Sequence, residues 1–440
     1  DAAQRQLKNV LLLQPDDAEA HLLLGRTHLA TGNAAAAGQA ISRAHDLGLD
    51  VSEWLAPLAR VYLALRQYDE VIALQPLDGA YPTRLRAENL QLQGQACMAK
   101  KQVAEAAEKF TAALALDPAS VEALLGKANI ELQKGNTDSA SVLVDRVLAI
   151  EPDNTIALTR KGELLMKAGN MREALAAFQQ AMAAEPRNLT AAVRRTAVLN
   201  ALGDYEAVVA ETNKLLARQP GLYAARYLNA LALFQLRQLE QAQQSIEKVV
   251  KAVPAHIPSQ MLAGMIAFQL EHFDKAEKHL RISRDKAPEN TAVSKMLGVT
   301  LLKLDRPDAA CSELESGLKY ARIDAQYLAL LGTACMSGGQ ADRGLEYLER
   351  AVEIAPDIAA IRTQLALGQF ALGDTEQGIS ELQGAVELGQ GVLQADVLLV
   401  MAHLRNREYD RALAAAEALT EKMPDSPVPR NLVGAARLGK

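Results

Sequence analysis

The sequence predicts an all-α protein, a right-handed superhelical solenoid of helix-turn-helix repeats with a period of 34 residues. Three observations lead to this fold class: a proline at a fixed interval, small residues at the same interval, and a composition rich in Ala and Leu. Hydrophobic residues make up 49 % of the chain and aromatic residues only 4 %. A repeat array needs no single large core, because each repeat buries its face against its neighbours.

The prolines give the period. They recur in constant phase at Pro118, Pro152, Pro186, Pro220, Pro254 and Pro288. The same phase continues to Pro356 and Pro424, with Arg322 and Gln390 at the two other steps. Proline has no N–H and disfavours helix in the residue before it, so each proline is predicted to end the second helix of a repeat.

The small residues place the helices within a repeat. Gly162 and Ala174 are expected where the two antiparallel helices approach each other closely. Gly169 lies between them and is expected to form the turn, because glycine tolerates a positive φ. We therefore predict a first helix over 155–167 and a second helix over 171–184.

These residues match the pattern of the tetratricopeptide repeat, whose period is 34 residues. The motif Ala-x-x-Ala-Phe-x-x-Ala occurs at Ala174, Ala177, Phe178 and Ala181. The resemblance covers nearly the whole chain. It is highly specific for the fold and says little about the function.

The repeat phase divides the chain into four predicted segments. Residues 1–50 are predicted to form N-terminal repeats, and residues 51–86 an irregular repeat with a shortened second helix and a loop. Residues 87–426 are predicted to form ten consecutive repeats in constant phase. Residues 427–440 are predicted to form the first helix of a further repeat. A solenoid normally ends in a polar capping helix, so we expect the natural chain to continue.

Prolines break the phase in the irregular segment. Pro57 is expected near the start of a first helix, and the next helix, from about Tyr68, is expected to be cut short by Pro76. Pro82 is expected to follow in an irregular connection. A long helix is then predicted over about 84–99.

Charge and cysteine content narrow the functional classes. The net charge is −6 and no basic run is present, which disfavours a nucleic-acid partner. No apolar run approaches ~18 residues, so no membrane span is predicted. Cys311 and Cys335 are expected on neighbouring helices, as two buried thiols or as a disulfide that would imply an oxidising compartment. Cys97 is expected to be a helix-packing residue.

No catalytic motif is present in the sequence. It has no Gly-x-Ser-x-Gly, no Gly-rich phosphate loop and no His-Glu-x-x-His, so we predict a protein that is not an enzyme and needs no cofactor or metal. The nearest histidine pair, His272 and His279, fits surface histidines better than a metal site. A clamp for an acidic C-terminal tail is also missing, because Leu125 stands where lysine would be needed.

The first helices are expected to line a concave groove with their second, fifth, ninth, twelfth and thirteenth residues. Over 223–370 this face has aromatic, Met and Gln side chains and few charges. It suits a partner helix or an extended peptide, although aromatic and amide groups could also hold a sugar chain. Any one of these residues could instead belong to the core between repeats. The candidates are Tyr227, Leu231, Phe234, Gln235, Met261, Met265, Phe268, Gln269, Met336 and Phe370.

A narrower resemblance rests on five segments, at 7–11, 15–25, 58–65, 262–270 and 403–413. Together with the irregular stretch, they resemble the long tetratricopeptide lipoproteins of PEP-CTERM (exosortase) systems in Gram-negative bacteria. The resemblance implies a periplasmic protein held at the outer membrane by an N-terminal lipid anchor that this chain does not include. It implies no catalytic residues. The implied partners are envelope proteins of polysaccharide assembly and export, and the polysaccharide itself is a further candidate.

The expected function is therefore a non-catalytic scaffold for protein–protein interactions in exopolysaccharide biosynthesis or export linked to protein sorting. Two alternatives stay open. The first is a polysaccharide-binding solenoid that guides the exported polymer. The second is a targeting module of a larger enzyme. A cytosolic co-chaperone is disfavoured by the missing clamp.

Overall fold

The computed structural model describes residues 2–74, 77, 79–321, 323–389, 391 and 393–440. Over these residues the secondary structure is helical, with 26 α-helices, a short 3₁₀ turn at Leu318–Tyr320 and no strand. The all-α prediction is confirmed. Arg322 and Gln390, at two steps of the proline phase, and Pro76 lie outside the described residues.

The chain divides into two compact units. The N-terminal unit is Asp1–Asp204 and the C-terminal unit is Tyr205–Lys440. The division falls inside the predicted segment 87–426, and the four predicted segments stay a prediction.

Twelve helices are described in the N-terminal unit. They are α1 (Ala2–Leu13), α2 (Ala18–Ala30), α3 (Ala34–Asp46), α4 (Val51–Ala64), α5 (Tyr68–Ala73), α6 (Thr83–Ala99), α7 (Val103–Leu116), α8 (Val121–Gln133), α9 (Thr137–Ile150), α10 (Thr155–Lys167), α11 (Met171–Ala184) and α12 (Leu189–Ala201). The even-numbered helices from α2 on are the first helices of the repeats.

Fourteen helices are described in the C-terminal unit. They are α13 (Tyr205–Arg218), α14 (Tyr223–Gln235), α15 (Leu239–Ala252), α16 (Ile257–Gln269), α17 (Phe273–Lys286), α18 (Thr291–Lys303), α19 (Pro307–Gly317), α20 (Ala325–Ser337), α21 (Ala341–Ile354), α22 (Ala359–Leu372), α23 (Thr375–Glu387), α24 (Leu393–Arg405), α25 (Tyr409–Lys422) and α26 (Pro427–Gly439). Among the described residues of either unit, no helix combines the length and the hydropathy that a bilayer crossing requires.

The pair α10–α11 shows how two helices of one repeat pack. Both helices have the bounds predicted from the sequence. Phe178 of α11 is fully buried, and a Cβ added at Gly162 of α10 would lie 2.6 Å from its ring. From the sequence, a close approach of the two helix backbones is expected at Gly162. The structure shows instead that the missing side chain makes room for a large one from the second helix.

The same arrangement recurs in other pairs. Phe110 of α7 lies against two glycines, and an added Cβ would be 2.7 Å from its ring at Gly94 and 2.4 Å at Gly126. In the C-terminal unit the large side chain is a leucine, as for Leu280 of α17 against Gly264 of α16. Because real Cβ atoms do not approach other atoms so closely, these positions are restricted to glycine unless the neighbour moves.

A left-handed residue closes the turn between the two helices of a pair. Gly169 has φ 84°, and the following N–H of Asn170 donates to the carbonyl of Leu165 at 2.9 Å. This is the hydrogen-bonding pattern of a helix C-cap with a left-handed residue. Lys101 and Arg237 occupy the same place with φ 63° and 61°. Glycine is therefore favoured in the turn but not required, because helix packing offsets a strain of roughly 1 kcal/mol.

Pro57 does not lie near the start of its helix, as predicted, but in the middle of α4. It has no N–H to donate to the carbonyl four residues earlier, at Glu53. Nη2 of Arg26 donates to that carbonyl instead, at 3.1 Å. A side chain of α2 thus satisfies the carbonyl that the proline leaves free, and this lets α4 continue.

The second helix of this repeat is short, as predicted, since α5 ends at Ala73. The buried side chain of Gln93 on α6 donates to the carbonyl of Leu74 at 2.8 Å. Its own carbonyl oxygen accepts from Nζ of Lys109, also at 2.8 Å. A polar bridge therefore connects the end of α5 to α6 and α7.

Of the two alternatives for Cys311 and Cys335, the structure has the disulfide. It joins α19 to α20, the first helix of the following repeat, and both residues are fully buried. Cys97 is buried and free, and burial raises the pKa of its thiol.

The contact between Gly162 and Phe178 predicts a specific coupling. Replacing Gly162→Ala should lower the free energy of unfolding by roughly 1–3 kcal/mol, because the added methyl group overlaps the ring. Combining it with Phe178→Leu should cost less than the sum of the two single losses. Urea unfolding followed by circular dichroism measures both effects.

The control is Gly79→Ala, since a Cβ at Gly79 would meet no atom within 4 Å. It should change the unfolding free energy by less than about 0.5 kcal/mol. Strictly additive losses at Gly162 and Phe178 would contradict the packing described above.

Candidate functional site

The ten predicted groove residues all lie in the C-terminal unit, on the first helices α14, α16, α20 and α22. Neighbouring first helices of this unit contact each other directly. α14 contacts α16, and α18, α20, α22 and α24 each contact the first helix that follows, up to α26. Their outward surfaces therefore adjoin from one repeat to the next. We call this surface the first-helix face.

Most of the ten candidates are half-buried and also contribute to the core. Seven of them pack against buried clusters, and these are Tyr227, Leu231, Phe234, Met261, Phe268, Met336 and Phe370. Met265 is half-buried, whereas Gln235 and Gln269 are exposed. The Oε1 atom of Gln269 accepts from Nη1 of Arg237 at 3.3 Å. That these residues bind a partner stays a prediction.

Two aromatic candidates meet another ring edge-on. Tyr227 and His256 have ring centroids 5.5 Å apart at an interplanar angle of 83°. Phe268 and Phe273 are also 5.5 Å apart, at 66°. Burial raises the pKa of the Tyr227 hydroxyl. These contacts connect Tyr227 to the residue before α16 and Phe268 to the first residue of α17, and they leave less of each ring for a ligand.

In α20 and α22 the twelfth residue points toward the second helix of the same pair. A Cβ added at Gly378 of α23 would lie 2.5 Å from the ring of Phe370. A Cβ added at Gly344 of α21 would lie 2.5 Å from Cγ of Met336. Phe370 and Met336 thus occupy space between the helices of their pairs.

Two ninth residues of first helices are exposed apolar side chains on this face. Leu367 is 40 % exposed and Met401 is 53 % exposed. They are not among the candidates predicted from the sequence, although the repeat spacing of Leu231 and Met265 leads directly to them. We define the apolar row as the ninth residues of the first helices from α14 to α24. Five of them are apolar, Leu231, Met265, Val299, Leu367 and Met401, and the sixth is Thr333.

The first-helix face of the N-terminal unit has charged side chains at two of its ninth positions. The ninth residue of α2 is Arg26, and that of α10 is Glu163. Glu163 accepts from Arg160 at 2.8 Å and from Arg194 of α12 at 2.9 Å. The prediction that the groove has few charges was made for residues 223–370, which lie in the C-terminal unit. It does not apply to the N-terminal unit.

Metal-binding groups are scarce in the part of the chain that the structure describes. In that part of the chain, a single group brings three candidate ligand side chains together, and it consists of Cys311, Glu315 and Cys335. Its two cysteines are joined in the disulfide. His279 is half-buried and lies 2.7 Å from Oε1 of Gln260, whereas His272 precedes α17 and is exposed.

Comparison with known proteins gives family matches over most of the chain. A family model described as "Tetratricopeptide repeat" matches more than half of the chain, at residues 1–48, 159–223, 261–318, 295–357 and 363–427. A second model with this description matches residues 98–161. A model described as "Anaphase-promoting complex, cyclosome, subunit 3" matches residues 201–283. No curated protein matches the sequence.

Three solved structures illustrate the similarity of this chain to known helical repeat proteins. The crystal structure of the APC/C hetero-tetramer Cut9-Hcn1 is 15 % identical and covers 98 % of this chain and 92 % of its own, with a TM-score of 0.43. A tetratricopeptide repeat protein from Parabacteroides merdae is 20 % identical, with coverages of 57 % and 99 % and a TM-score of 0.41. YrrB, described as a TPR protein with an unusual peptide-binding site, is 18 % identical, with coverages of 42 % and 95 % and a TM-score of 0.38.

The different orientations of the ninth and twelfth residues predict different effects on stability. The double replacement Leu367→Gln and Met401→Gln should change the free energy of unfolding by less than about 1 kcal/mol, because both side chains are exposed. Phe370→Ala should lower it by roughly 3 kcal/mol, because it leaves a cavity against Gly378. Thermal and urea unfolding measure the difference. Equal losses in the two variants would show that the apolar row belongs to the core.

Proposed function

Because the chain belongs to the tetratricopeptide repeat family, we propose that it is a non-catalytic scaffold for protein–protein interactions in the periplasm of a Gram-negative bacterium. Its role there would be in exopolysaccharide biosynthesis or export linked to PEP-CTERM (exosortase) protein sorting. The observation that supports a protein partner most directly is the apolar row on the first-helix face of the C-terminal unit.

The apolar row has the properties of a surface that binds an apolar partner segment. Leu367 and Met401 follow each other at the same place on contacting helices, so their side chains extend one apolar strip. An amphipathic helix or extended segment gains free energy by burying such a strip. Methionine adapts its shape to the partner because its side chain is unbranched and polarizable. The exposed Gln235 and Gln269 can donate and accept hydrogen bonds beside it.

The disulfide supports the periplasmic location. Disulfides persist in oxidising compartments such as the bacterial periplasm and are rare in the cytosol. The third cysteine, Cys97, is a buried free thiol. The lipid anchor and the link to exopolysaccharide export rest on the sequence resemblance alone.

The polymer-guiding alternative has weaker support. Sugar rings stack on open aromatic faces, whereas Tyr227 and Phe268 are half-buried and already meet His256 and Phe273. The apolar row contains no aromatic residue. The available surface therefore favours a protein partner.

A pull-down from envelope extract, with the whole chain as bait and with bound protein and sugar both quantified, tests the proposal. We expect a few stoichiometric envelope proteins. Replacing Leu367→Asp and Met401→Asp together should reduce their retention at least tenfold, or by about 1.4 kcal/mol, because charges oppose burial of the strip.

The matched control is Val142→Asp, an exposed apolar residue on the second helix α9. It should retain the same proteins as the unmodified chain. The opposite outcome is that polysaccharide is retained without protein, and that this retention is lost when Tyr227, Phe234 and Phe268 are changed to Ala. It would favour the polymer-guiding function over the scaffold function.

The disulfide gives a second prediction. The denatured, unreduced protein should show one free thiol, that of Cys97, and a count of three thiols would remove this support for the periplasm.

The bridge spans a sequence separation of 24 residues. Replacing Cys311→Ser and Cys335→Ser together should cost about 3 kcal/mol of unfolding free energy, since the bridge restricts the unfolded chain. Unfolding with and without reductant measures this cost.

A further inference from the structure

Three consecutive second helices, α13, α15 and α17, end in positively charged segments. Each segment runs from the eighth residue of the helix to the end of the following link. Residues 212–222 contain two Lys or Arg and no acid, residues 246–256 two and one, and residues 280–290 three and two. In the corresponding parts of α7, α9, α11, α21 and α25, acidic residues equal or outnumber basic ones. The positive excess is therefore local, in a chain whose net charge is −6.

Five of the seven cations in these segments have no partner among the residues that the structure describes. The two others, Arg281 and Arg284, form ion pairs with Glu277 and Glu313 at 2.8 Å and 2.6 Å. The remaining five are all exposed, and we call them the basic band: Lys214, Arg218, Lys248, Lys251 and Lys286.

The acidic residues of the same helices do not neutralise the basic band. Glu247 pairs with Lys275 at 3.7 Å, and Asp285 pairs with Arg284 at 3.2 Å. Glu289, in the link after α17, is exposed and is the one acid of the three segments without a partner. The first helices α14, α16 and α18 contain no acid. The other acids of α13, α15 and α17 come before the eighth residue, and they are Glu206, Glu211, Glu240, Asp274 and Glu277.

The three second helices lie side by side in the C-terminal unit. The buried amide of Asn229 on α14 donates to Thr212 of α13 at 2.8 Å and accepts from Ser245 of α15 at 2.8 Å. The ion pair of Glu247 with Lys275 joins α15 to α17. The three positive segments therefore belong to one surface.

The cations of the basic band repeat with the helices. Lys214 and Lys248 are each the tenth residue of their helix. Arg218 and Lys286 are each the fourteenth, and Lys251 is the thirteenth. Equivalent residues of consecutive repeats face the same way, because the repeats share their internal geometry. The basic band therefore runs across three repeats as a line of charges.

The side chains of the band suit a linear polyanion that is recognised by its charge. The three segments contain no Phe, Trp or Tyr, so they offer no ring on which a nucleic-acid base could stack. Four of the five cations are lysines, whose flexible ammonium groups follow a charge without fixed geometry. Arginine would be favoured for bidentate binding of phosphate. These features favour repeated carboxylates over a nucleic acid.

We propose that the basic band binds an acidic polysaccharide, a linear sugar polymer with repeated carboxylate groups. Carboxylates along the polymer pair with cations of successive second helices. A single exposed ion pair contributes little. Several pairs on one polymer add up, because each contact after the first is intramolecular.

The choice of polymer rests on the proposed role in exopolysaccharide biosynthesis or export. The surface itself is separate from the one proposed for protein partners, since it uses second helices and none of the apolar row. It also differs from the polymer-guiding alternative, which depends on aromatic rings of first helices. The protein and polymer surfaces can therefore be removed independently by substitution.

The test measures binding of polygalacturonate, an unbranched polymer of a uronic acid, to the whole chain by biolayer interferometry. Neutral dextran is the reference polymer. Polygalacturonate should bind and dextran should not. The affinity should fall at least tenfold between about 0.05 M and about 0.5 M NaCl, because salt screens exposed charges.

The variant replaces four cations of the band together, Lys214→Gln, Arg218→Gln, Lys248→Gln and Lys251→Gln. It should weaken binding of polygalacturonate at least about tenfold, because it removes most of the ion pairs. The matched control removes the same charge from exposed residues of the N-terminal unit that have no partner among the described residues. Its four positions, also changed to Gln, are Lys8, Lys167, Arg172 and Arg187.

The control should keep the affinity within about twofold, because its cations lie outside the band. Neither set should shift the midpoint of thermal unfolding followed by circular dichroism, because all eight residues are exposed. An equal loss of affinity in both sets would overturn the inference, since it would show an effect of net charge alone. Absence of polygalacturonate binding would also overturn it.

Two further polyanions of equal charge compete for the assignment. Tighter binding of a single-stranded DNA oligonucleotide would reassign the basic band to nucleic acid, and tighter binding of polyglutamate would reassign it to an acidic protein segment. Weaker binding of both supports the polysaccharide.

The pull-down from envelope extract separates this inference from the scaffold function. The variant with four Gln substitutions in the band should retain the same envelope proteins as the unmodified chain. If these proteins are retained and polygalacturonate does not bind, only the polysaccharide site fails. If polygalacturonate binds through the band and no envelope protein is retained, the scaffold function fails and the site stands.

Discussion

The seating of a large second-helix side chain against a glycine of the first helix is the contact on which the rest of the structure depends. Gly162 with Phe178 and Gly264 with Leu280 show it in the two units. The contact fixes the rotation of the first helix, because its eighth residue must face inward. The ninth residue then turns about 100° away and faces outward. The surface available for partners therefore follows from the packing of the pair.

Sequence alone predicts the helices well where local signals agree. The bounds of α10 and α11 follow from Pro152, Gly169 and Pro186, since these residues end or turn a helix in any context. Pro57 shows the limit of that reasoning. Its place inside α4 depends on Arg26, 31 positions earlier, taking the free carbonyl.

The candidate site is less predictable, because it depends on tertiary neighbours. The repeat register identifies the first-helix face, but it does not tell that Met336 and Phe370 turn toward their second helices. It also gives no sign that the buried amide of Gln93 bonds to groups on two neighbouring elements, which only the packing around it decides. Left-handed Lys101 and Arg237 show the same dependence, since local preference alone would place glycine there.

The bridge between Cys311 and Cys335 has a mechanical consequence. A chain of helix pairs held by nearest-neighbour contacts peels apart one pair at a time when its ends are pulled. The covalent link between α19 and α20 withstands a force that separates packed side chains. The 24-residue loop it closes would contribute roughly 80 Å of extension in the reduced chain and almost none in the oxidised one. Under load the chain would thus keep one junction closed while neighbouring repeats yield.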